Sequence, residues 1–178
     1  MAGQSSPPLN IGPCDVWFGA ASSEVDLGPT HGGVTFNFSH EHVLEVVDRC
    51  GITPINGMIT GASCTITFAL SAPSAATLAS LYPGAATEGY GVTFSNPHGI
   101  RFSDIEGQLI LKPLVSANGT AQSAPSSNTD DYIYVPKAVP IPRISLVFDK
   151  GTQRVWGVEF IGLENSATGV IWKFGASG

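Results

Sequence analysis

The sequence predicts a mainly β protein: two packed antiparallel sheets, sandwich- or barrel-like, with one short flanking α-helix. Three observations carry that prediction. In 59–70 the apolar residues Cys64, Ile66, Phe68 and Leu70 recur at every second position, with Ser63, Thr65 and Thr67 between them. That period belongs to a strand with one buried and one polar face. A second, longer alternation runs through 34–49. Val34, Phe36, Phe38, His40, His42, Leu44 and Val46 form one phase, and Thr35, Asn37, Ser39, Glu41, Val43, Glu45, Val47 and Arg49 the other. Helical signals occur in one stretch, where Ser71 is a candidate cap, Pro73 falls in the first turn, Leu78 and Leu81 share a face and Tyr82-Pro83-Gly84 ends the run. A helix this short is unstable alone and must lie against a sheet.

The elements follow in order. Residues 1–13 hold Ser5-Ser6-Pro7-Pro8 and Gly12-Pro13 and read as an extended N-terminal arm, either disordered or laid on a neighbour. Cys14 to Phe18 is a short first strand. Asp26-Leu27-Gly28-Pro29 is a turn, and Thr30-His31-Gly32-Gly33 breaks the chain again. Val34 to Arg49 is a long amphipathic strand, bent or bulged near Ser39-His40. A helix over 40–49 is the alternative, but the β-branched content and unbroken alternation favour the strand. Residues 50–57 form a loop that closes a long hairpin with the strand 59–70.

Beyond the helix, Gly89 to Phe94 and Ile100 to Ile105 read as short strands around Asn96-Pro97-His98-Gly99. Gln108 to Val115 is a further strand, with Pro113 confining that end to an edge or bulge. Residues 116–131 have almost no apolar groups and read as a mobile loop or an insertion that orders on a partner. Tyr132 to Val139 is extended. Arg143 to Phe148 and Gln153 to Leu163 form a hairpin around Asp149-Lys150-Gly151-Thr152, with Trp156, Val158 and Phe160 on one face. Val170 to Phe174 closes the sheet. The division is thus an arm, 1–13, and a single β domain, 14–178.

At 178 residues the chain can bury a real core as one domain. Charged residues are only 12%, against roughly a quarter in ordinary soluble domains. So few solubilising groups favour a surface covered by assembly, with a hydroxyl-rich monomer as the alternative. A net charge of −6 with only 8 Lys and Arg argues against a protein that binds nucleic acid by neutralising phosphates. The three cysteines Cys14, Cys50 and Cys64 form neither a disulfide framework nor a CxxC, and Cys64 lies on the apolar phase of its strand. The N-terminal sequence has no basic region followed by an apolar run, and no apolar run reaches about 18 residues. Synthesis in a reducing cytosol, with no membrane partner, is the expectation.

Catalytic and metal-binding readings find little support. His40 and His42 point to one face of a strand and could share a zinc ion, but no spacing supplies further ligands. There is no GxSxG elbow and no phosphate-binding glycine loop. Glu41, Glu45, Asp104 and Glu106 could supply a carboxylate pair for glycoside hydrolysis, but sequence does not give their separation. Asp130-Asp131 reads as a solvated pair. Trp17, Trp156 and Trp172 fall in strand patterns, with core as the first reading and a sugar- or base-stacking platform as the minority one. The expectation is a non-enzyme without metal or cofactor.

The order of elements in the N-terminal half carries a resemblance. Glu24-Val25-Asp26-Leu27-Gly28 precedes Thr30-His31-Gly32-Gly33-Val34, a long strand follows, then Asp48 and Gly51-Ile52-Thr53-Pro54-Ile55. Thr60-Gly61 leads into CTITFAL and a helix ending Leu-x-x-Leu-Tyr-Pro-Gly-Ala; Arg154 to Phe160 forms a late strand. Over residues 22–85, and more loosely 132–175, this resembles the tail tube (major tail) proteins of long-tailed bacteriophages. The resemblance implies a structural virion protein, made in the host bacterial cytoplasm and located in the tail. It implies six-fold rings of one subunit, stacked into a hollow tube for genome passage. The implied partners are other copies of the chain and other tail proteins (tape measure, terminator, baseplate or sheath), with DNA passing through unbound. On this resemblance the polar phase Thr35, Asn37, Ser39, Glu41, Glu45, Ser63, Thr65 and Thr67 is expected to face the lumen, since it is polar, acidic and free of Lys or Arg. Loops 50–57 and 116–131 and the arm are candidates for ring-to-ring contact. The alternatives are another ring-forming tail component (a tail terminator or a contractile inner tube), a non-catalytic carbohydrate-binding β-sandwich, and a hydrolase with an unrecognised site.

Overall fold

Alternating sequence becomes paired strand almost wherever it occurs. The computed structural model describes residues 13–46, 53–116, 122–141, 143–144 and 155–175. Its strands are β1 (Cys14–Gly19), β2 (Val25–Asp26), β3 (Thr30–Val46), β4 (Pro54–Leu70), β5 (Ala85–Glu88), β6 (Gly91–Phe94), β7 (Gly107–Ser116), β8 (Gln122–Pro125), β9 (Ile133–Pro140), β10 (Trp156–Gly162) and β11 (Lys173–Phe174). The α-helix α1 (Ala75–Leu81) stands between β4 and β5. The protein is mainly β, with two antiparallel sheets and one α-helix among the described residues.

The larger sheet runs β2-β1-β7-β9-β10-β4-β3, with β8 added to β7 and β11 to β9; β5 and β6 form a separate hairpin. The sheet-on-sheet packing expected from sequence arises inside the larger sheet, which curls over so that its two halves face each other. Phe18 of β1 meets Phe160 of β10 at a ring-centroid distance of 4.9 Å, although β7 and β9 lie between those strands in the order. The corner is at β9–β10, where pairing is limited to Phe160–Gly162 against Ala138–Pro140.

The core fills the space between the halves. β4 contributes Cys64, Ile66, Phe68 and Leu70, all buried; β10 adds Val158 and Phe160; β1 and β7 add Val16, Phe18, Leu109 and Leu111. The register lines these up, with Ile66 opposite Phe160, Phe68 opposite Val158, Phe18 opposite Leu109 and Val16 opposite Leu111. Each such side chain contributes roughly 1.5–3 kcal/mol by leaving water. Gly162 is part of the fit: a Cβ there would stand 2.9 Å from the Cys64 Cβ and 3.1 Å from a Val135 methyl. α1 closes one end with Leu78 and Leu81 buried.

Several elements depart from the sequence expectation. The helix cap is Ser74, whose Oγ accepts the Thr77 N–H at 3.0 Å. Ser71 instead donates its hydroxyl to the Pro29 carbonyl at 3.1 Å, tying the end of β4 to the turn before β3. Pro73 lies ahead of the helix, not in its first turn. Thr30-His31-Gly32-Gly33 does not break the chain. It is absorbed into β3 as a bulge between His31 and Val34, made possible by Gly32 (φ 77°) and Gly33 (φ 90°) in the left-handed region. β4 starts at Pro54 rather than Ile59.

Ile100 to Ile105 is not a strand: Phe102–Asp104 form a 3-10 turn, held as Asp104 donates its N–H to the Arg101 carbonyl and accepts the Arg101 N–H on its carboxylate. The hairpin preceding it pairs Ala85–Glu88 with Gly91–Phe94. The stretch 116–131, expected as a mobile loop, carries β8 on β7 and a 3-10 turn at Thr129–Asp131 capped by Asn128; 117–121 lie outside the described residues. The turn is fastened by Tyr132, whose hydroxyl donates to the Ser126 carbonyl. The closing strand narrows to Lys173–Phe174, because Val170 bridges back to Asn165. Of the arm only Pro13 is described. Of the expected Arg143–Phe148 strand only Arg143 and Ile144 are described, with Arg143 bridged to Gly157; the loop 47–52 and the turn 149–152 also lie outside the described residues.

Phe160→Ala empties the meeting point of the two halves and is expected to cost about 3–5 kcal/mol in urea unfolding. Ser74→Ala removes the helix cap and is expected to cost about 1 kcal/mol, whereas capping by Ser71 would leave that variant unaffected.

Candidate functional site

The β3–β4 hairpin positions the residues singled out in the sequence. The two strands pair throughout, so residues opposite each other share a face. Thr35 stands opposite Thr67, Asn37 opposite Thr65, Ser39 opposite Ser63, Glu41 opposite Gly61 and Glu45 opposite Asn56. All eight predicted residues therefore fall on one side of the hairpin. Seven are exposed and Thr65 is half-buried. Ser39 and Ser63 are joined through their hydroxyls at 2.8 Å. The face continues across β10, where Glu159 is opposite Thr67 and Ile161 opposite Thr65.

This wider face is not free of cations. Arg143 reaches Glu159 at 3.4 Å, neutralising one carboxylate at the margin. Arg143 and Glu159 are not evident as part of this face from sequence, because they lie far along the chain from β3 and join the face only through strand pairing.

The other side of the hairpin divides in two. From Val34 to Phe38 it packs against the core: Phe36 and Phe38 are half-buried, and both rings meet Trp172 edge-on, at 5.1 and 5.5 Å. The bulge expected near Ser39-His40 falls two positions later, where β4 places Thr60 between the partners of Glu41 and His42. Past it the hairpin projects with both faces in water. Val43, Leu44, Val46, Ile55, Met58 and Ile59 are all at least 49% exposed. The apolar phase Leu44 and Val46 therefore does not enter the core of this subunit. The signal for that was present in the sequence: the same phase passes through His40 and His42 before reaching Leu44.

The remaining candidates do not converge. His40 packs edge-on to Phe38 at 4.8 Å. No group of three or more His, Cys, Asp or Glu among the described residues could hold a metal ion. Glu41 and Glu45 stand on β3, Asp104 is engaged in its 3-10 turn, and Glu106 pairs with Lys137 at 2.7 Å. Asp131 is buried rather than solvated and accepts the Ser126 hydroxyl at 3.4 Å. The tryptophans are occupied as well: Lys112 Nζ lies 3.4 Å from the Trp17 ring centroid, and Trp156 and Trp172 pack on the core. Burial lowers the Lys112 pKa even though Glu24, Asp26 and Asp15 oppose the shift.

The two described thiols, Cys14 and Cys64, are held in their protonated form by their surroundings. Burial pushes Cys64 up to about 11, with the Gly162 backbone pulling the other way, and burial followed by the charge of Asp15 pushes Cys14 up to about 11. Both values exceed the ordinary 9.0, so the native state holds these protons more tightly than the unfolded chain. Their contribution to stability is complete below pH 9 and is lost as pH rises through about 11. Cys64, 0% exposed, is expected to escape iodoacetamide in the native protein at about pH 8 and to react on unfolding, read by peptide mass spectrometry. Cys64→Ala is expected to flatten the alkaline loss of stability measured by denaturant titration across that window.

No family model and no curated protein matches this sequence. Among solved structures, the chain overlaps one chain of the six-fold symmetrised cryo-EM structure of the anti-feeding prophage (AFP) baseplate. The overlap covers 88% of this chain and 91% of that one, at 10% identity and a TM-score of 0.39. So loose an overlap fixes neither fold nor function.

Proposed function

We propose that this chain is a non-catalytic structural subunit of a phage-tail-like assembly, and within it the tail tube: a six-fold ring, stacked into a channel through which the genome passes. The observation that carries this reading is the unpartnered side of the hairpin. β3 is the terminal strand of its sheet, 17 residues long, and no described strand pairs with its outer edge. An edge of that length is an open row of N–H and C=O groups that a neighbouring strand would complete. The projecting tip adds apolar side chains on both faces, which a lone soluble subunit does not need.

Ring closure follows if each β3 edge joins a sheet edge of the next subunit through the same heterologous contact. The face of Thr35, Asn37, Ser39, Glu41, Glu45, Ser63, Thr65 and Thr67 would then line the interior. These eight residues offer DNA no fixed cation, and the one at the margin, Arg143, is paired with Glu159, so a passing duplex is repelled weakly rather than held. In this reading the partners are further copies of the chain and other tail proteins, and the location is the virion tail after synthesis in the bacterial host. A tail terminator or contractile inner tube would use the same edge; long stacked polymers distinguish the tube from the terminator.

Negative-stain electron microscopy of the purified chain across a concentration series is expected to show rings or striated tubes of uniform width. Globular particles at every concentration, also after addition of a tail initiator complex, would refute the reading. A Thr35→Lys/Thr65→Lys/Thr67→Lys variant is expected to assemble normally yet retain duplex DNA, with retention falling steeply as salt rises. Unchanged DNA behaviour in intact tubes would place this face elsewhere.

A further inference from the structure

Among the described asparagines whose side chains bond the backbone, one departs from the rest. Asn96, Asn128 and Asn165 each accept on Oδ1 the N–H two residues further on, that of His98, Asp130 and Ala167. This is the usual Asx turn. Asn56 instead accepts the N–H of its immediate successor, Gly57, at 2.8 Å. Its side chain is folded back onto the one backbone nitrogen with which it can close a five-membered ring. The amide carbon is one C=O bond from the accepting oxygen, so it lies within about 4 Å of that nitrogen.

We infer that Asn56-Gly57 is a self-modification site, where the chain converts Asn56 to aspartate and isoaspartate through a cyclic imide. Hydroxide takes the proton of the Gly57 N–H, and the nitrogen bonds to the Asn56 Cγ. The tetrahedral carbon so formed expels the side-chain nitrogen, which leaves as ammonia with protons from water. Water then opens the ring at either carbonyl. Opening at Cγ gives aspartate and restores the original backbone; opening at the backbone carbonyl gives isoaspartate, with the chain running through Cγ. One water enters for each ammonia lost.

The surroundings favour ring closure. Gly57 has no Cβ to hinder the approach. Both residues are exposed, so hydroxide and water reach them. The ladder is loosened beside them: β3 and β4 shift register between Glu45 and Val46, and β10, which covers Cys64 to Leu70, does not extend along β4 to Asn56. Asn37, by contrast, precedes a phenylalanine and stands opposite Thr65 in a continuous stretch of pairing.

The product acts on the tip of the hairpin. Asn56 is directly opposite Glu45, so a carboxylate at 56 sets two like charges across the pair and favours parting of the strands. Isoaspartate also adds a methylene to the backbone of β4, which displaces Gly57 and Met58 from their partners Leu44 and Val43. The bulge at Thr60 lies between this segment and Cys64, so the pairing that builds the core is spared. The reaction needs one chain and water, and stands apart from the tube reading.

The test incubates the purified full chain at a series of mildly alkaline pH values and follows it by peptide mass spectrometry. Electron-transfer fragmentation assigns each site, which keeps Asn56 apart from the like dipeptide Asn118-Gly119, and separates aspartate from isoaspartate. The expected result is a gain of about 1 Da at Asn56, as both products, at a rate that climbs with pH and exceeds that at Asn128 and Asn165 about tenfold. Asn56→Gln, which needs a larger ring, is expected to slow the change at position 56 about tenfold. Aspartate without isoaspartate would mean direct hydrolysis and overturn the inference. So would an Asn56 that keeps its amide in the folded chain and reacts only in urea, since the fold would then hold the two groups apart. Asn56→Asp, a mimic of one product, is expected to speed hydrogen exchange of 43–46 and 54–58 about threefold while leaving 64–70 unchanged. Unaltered exchange at the tip would remove the effect on the hairpin.

Discussion

β4 is paired along both edges, and the rest of the molecule depends on the register of that pairing. β3 runs along one side for its whole length, and β10 covers Cys64 to Leu70 on the other. Because side chains alternate at a period of two, a slip of one residue would bury Thr65 and Thr67 and expose Ile66 and Phe68. Three local features hold the register. The Gly32-Gly33 bulge brings Thr30 opposite Leu70 without disturbing Val34 opposite Phe68. The absence of a side chain at Gly162 leaves room for both Cys64 and Val135 beside it. Ser71 then pins the end of β4 to Pro29.

The same alternation that builds the core builds the polar face, so the two are not separate inventions. Every inward residue of β4 between Cys64 and Leu70 is matched by an outward serine, threonine or alanine. Beyond Thr60 the hairpin leaves the body, and its apolar residues become a surface rather than an interior. Core, polar face and projecting tip are thus three regions of one pair of strands.

Most of this plan was legible from period and punctuation alone. The long hairpin, the residues sharing its polar face, the burial of Cys64 and the one α-helix among the described residues all follow from local pattern, which sheet pairing preserves. What escaped was decided by competition between nearby groups or by contacts distant in sequence. Ser71 and Ser74 are equally good caps on paper; only the position of the Pro29 carbonyl assigns each its partner. Residues 100–105 alternate well enough for a strand, but Asp104 captures the Arg101 N–H and turns the chain. The 116–131 stretch lacks apolar residues, yet Tyr132 and Asp131 tie its second half down through Ser126. Periodicity also overran its meaning in β3, where an unbroken apolar phase continued after the core had ended.

The displaced Thr60 has a consequence for how such a chain can diversify. Since β4 changes phase there relative to β3, Met58 and Asn56, not Ile59, join the face of Glu41 and Glu45. The bulge acts as a joint between two independently tuned segments. Substitutions beyond it alter what the tip presents without passing a change of phase back to Cys64, Ile66 and Phe68. A population of related chains can therefore vary the surface of the tip while inheriting an unaltered interior.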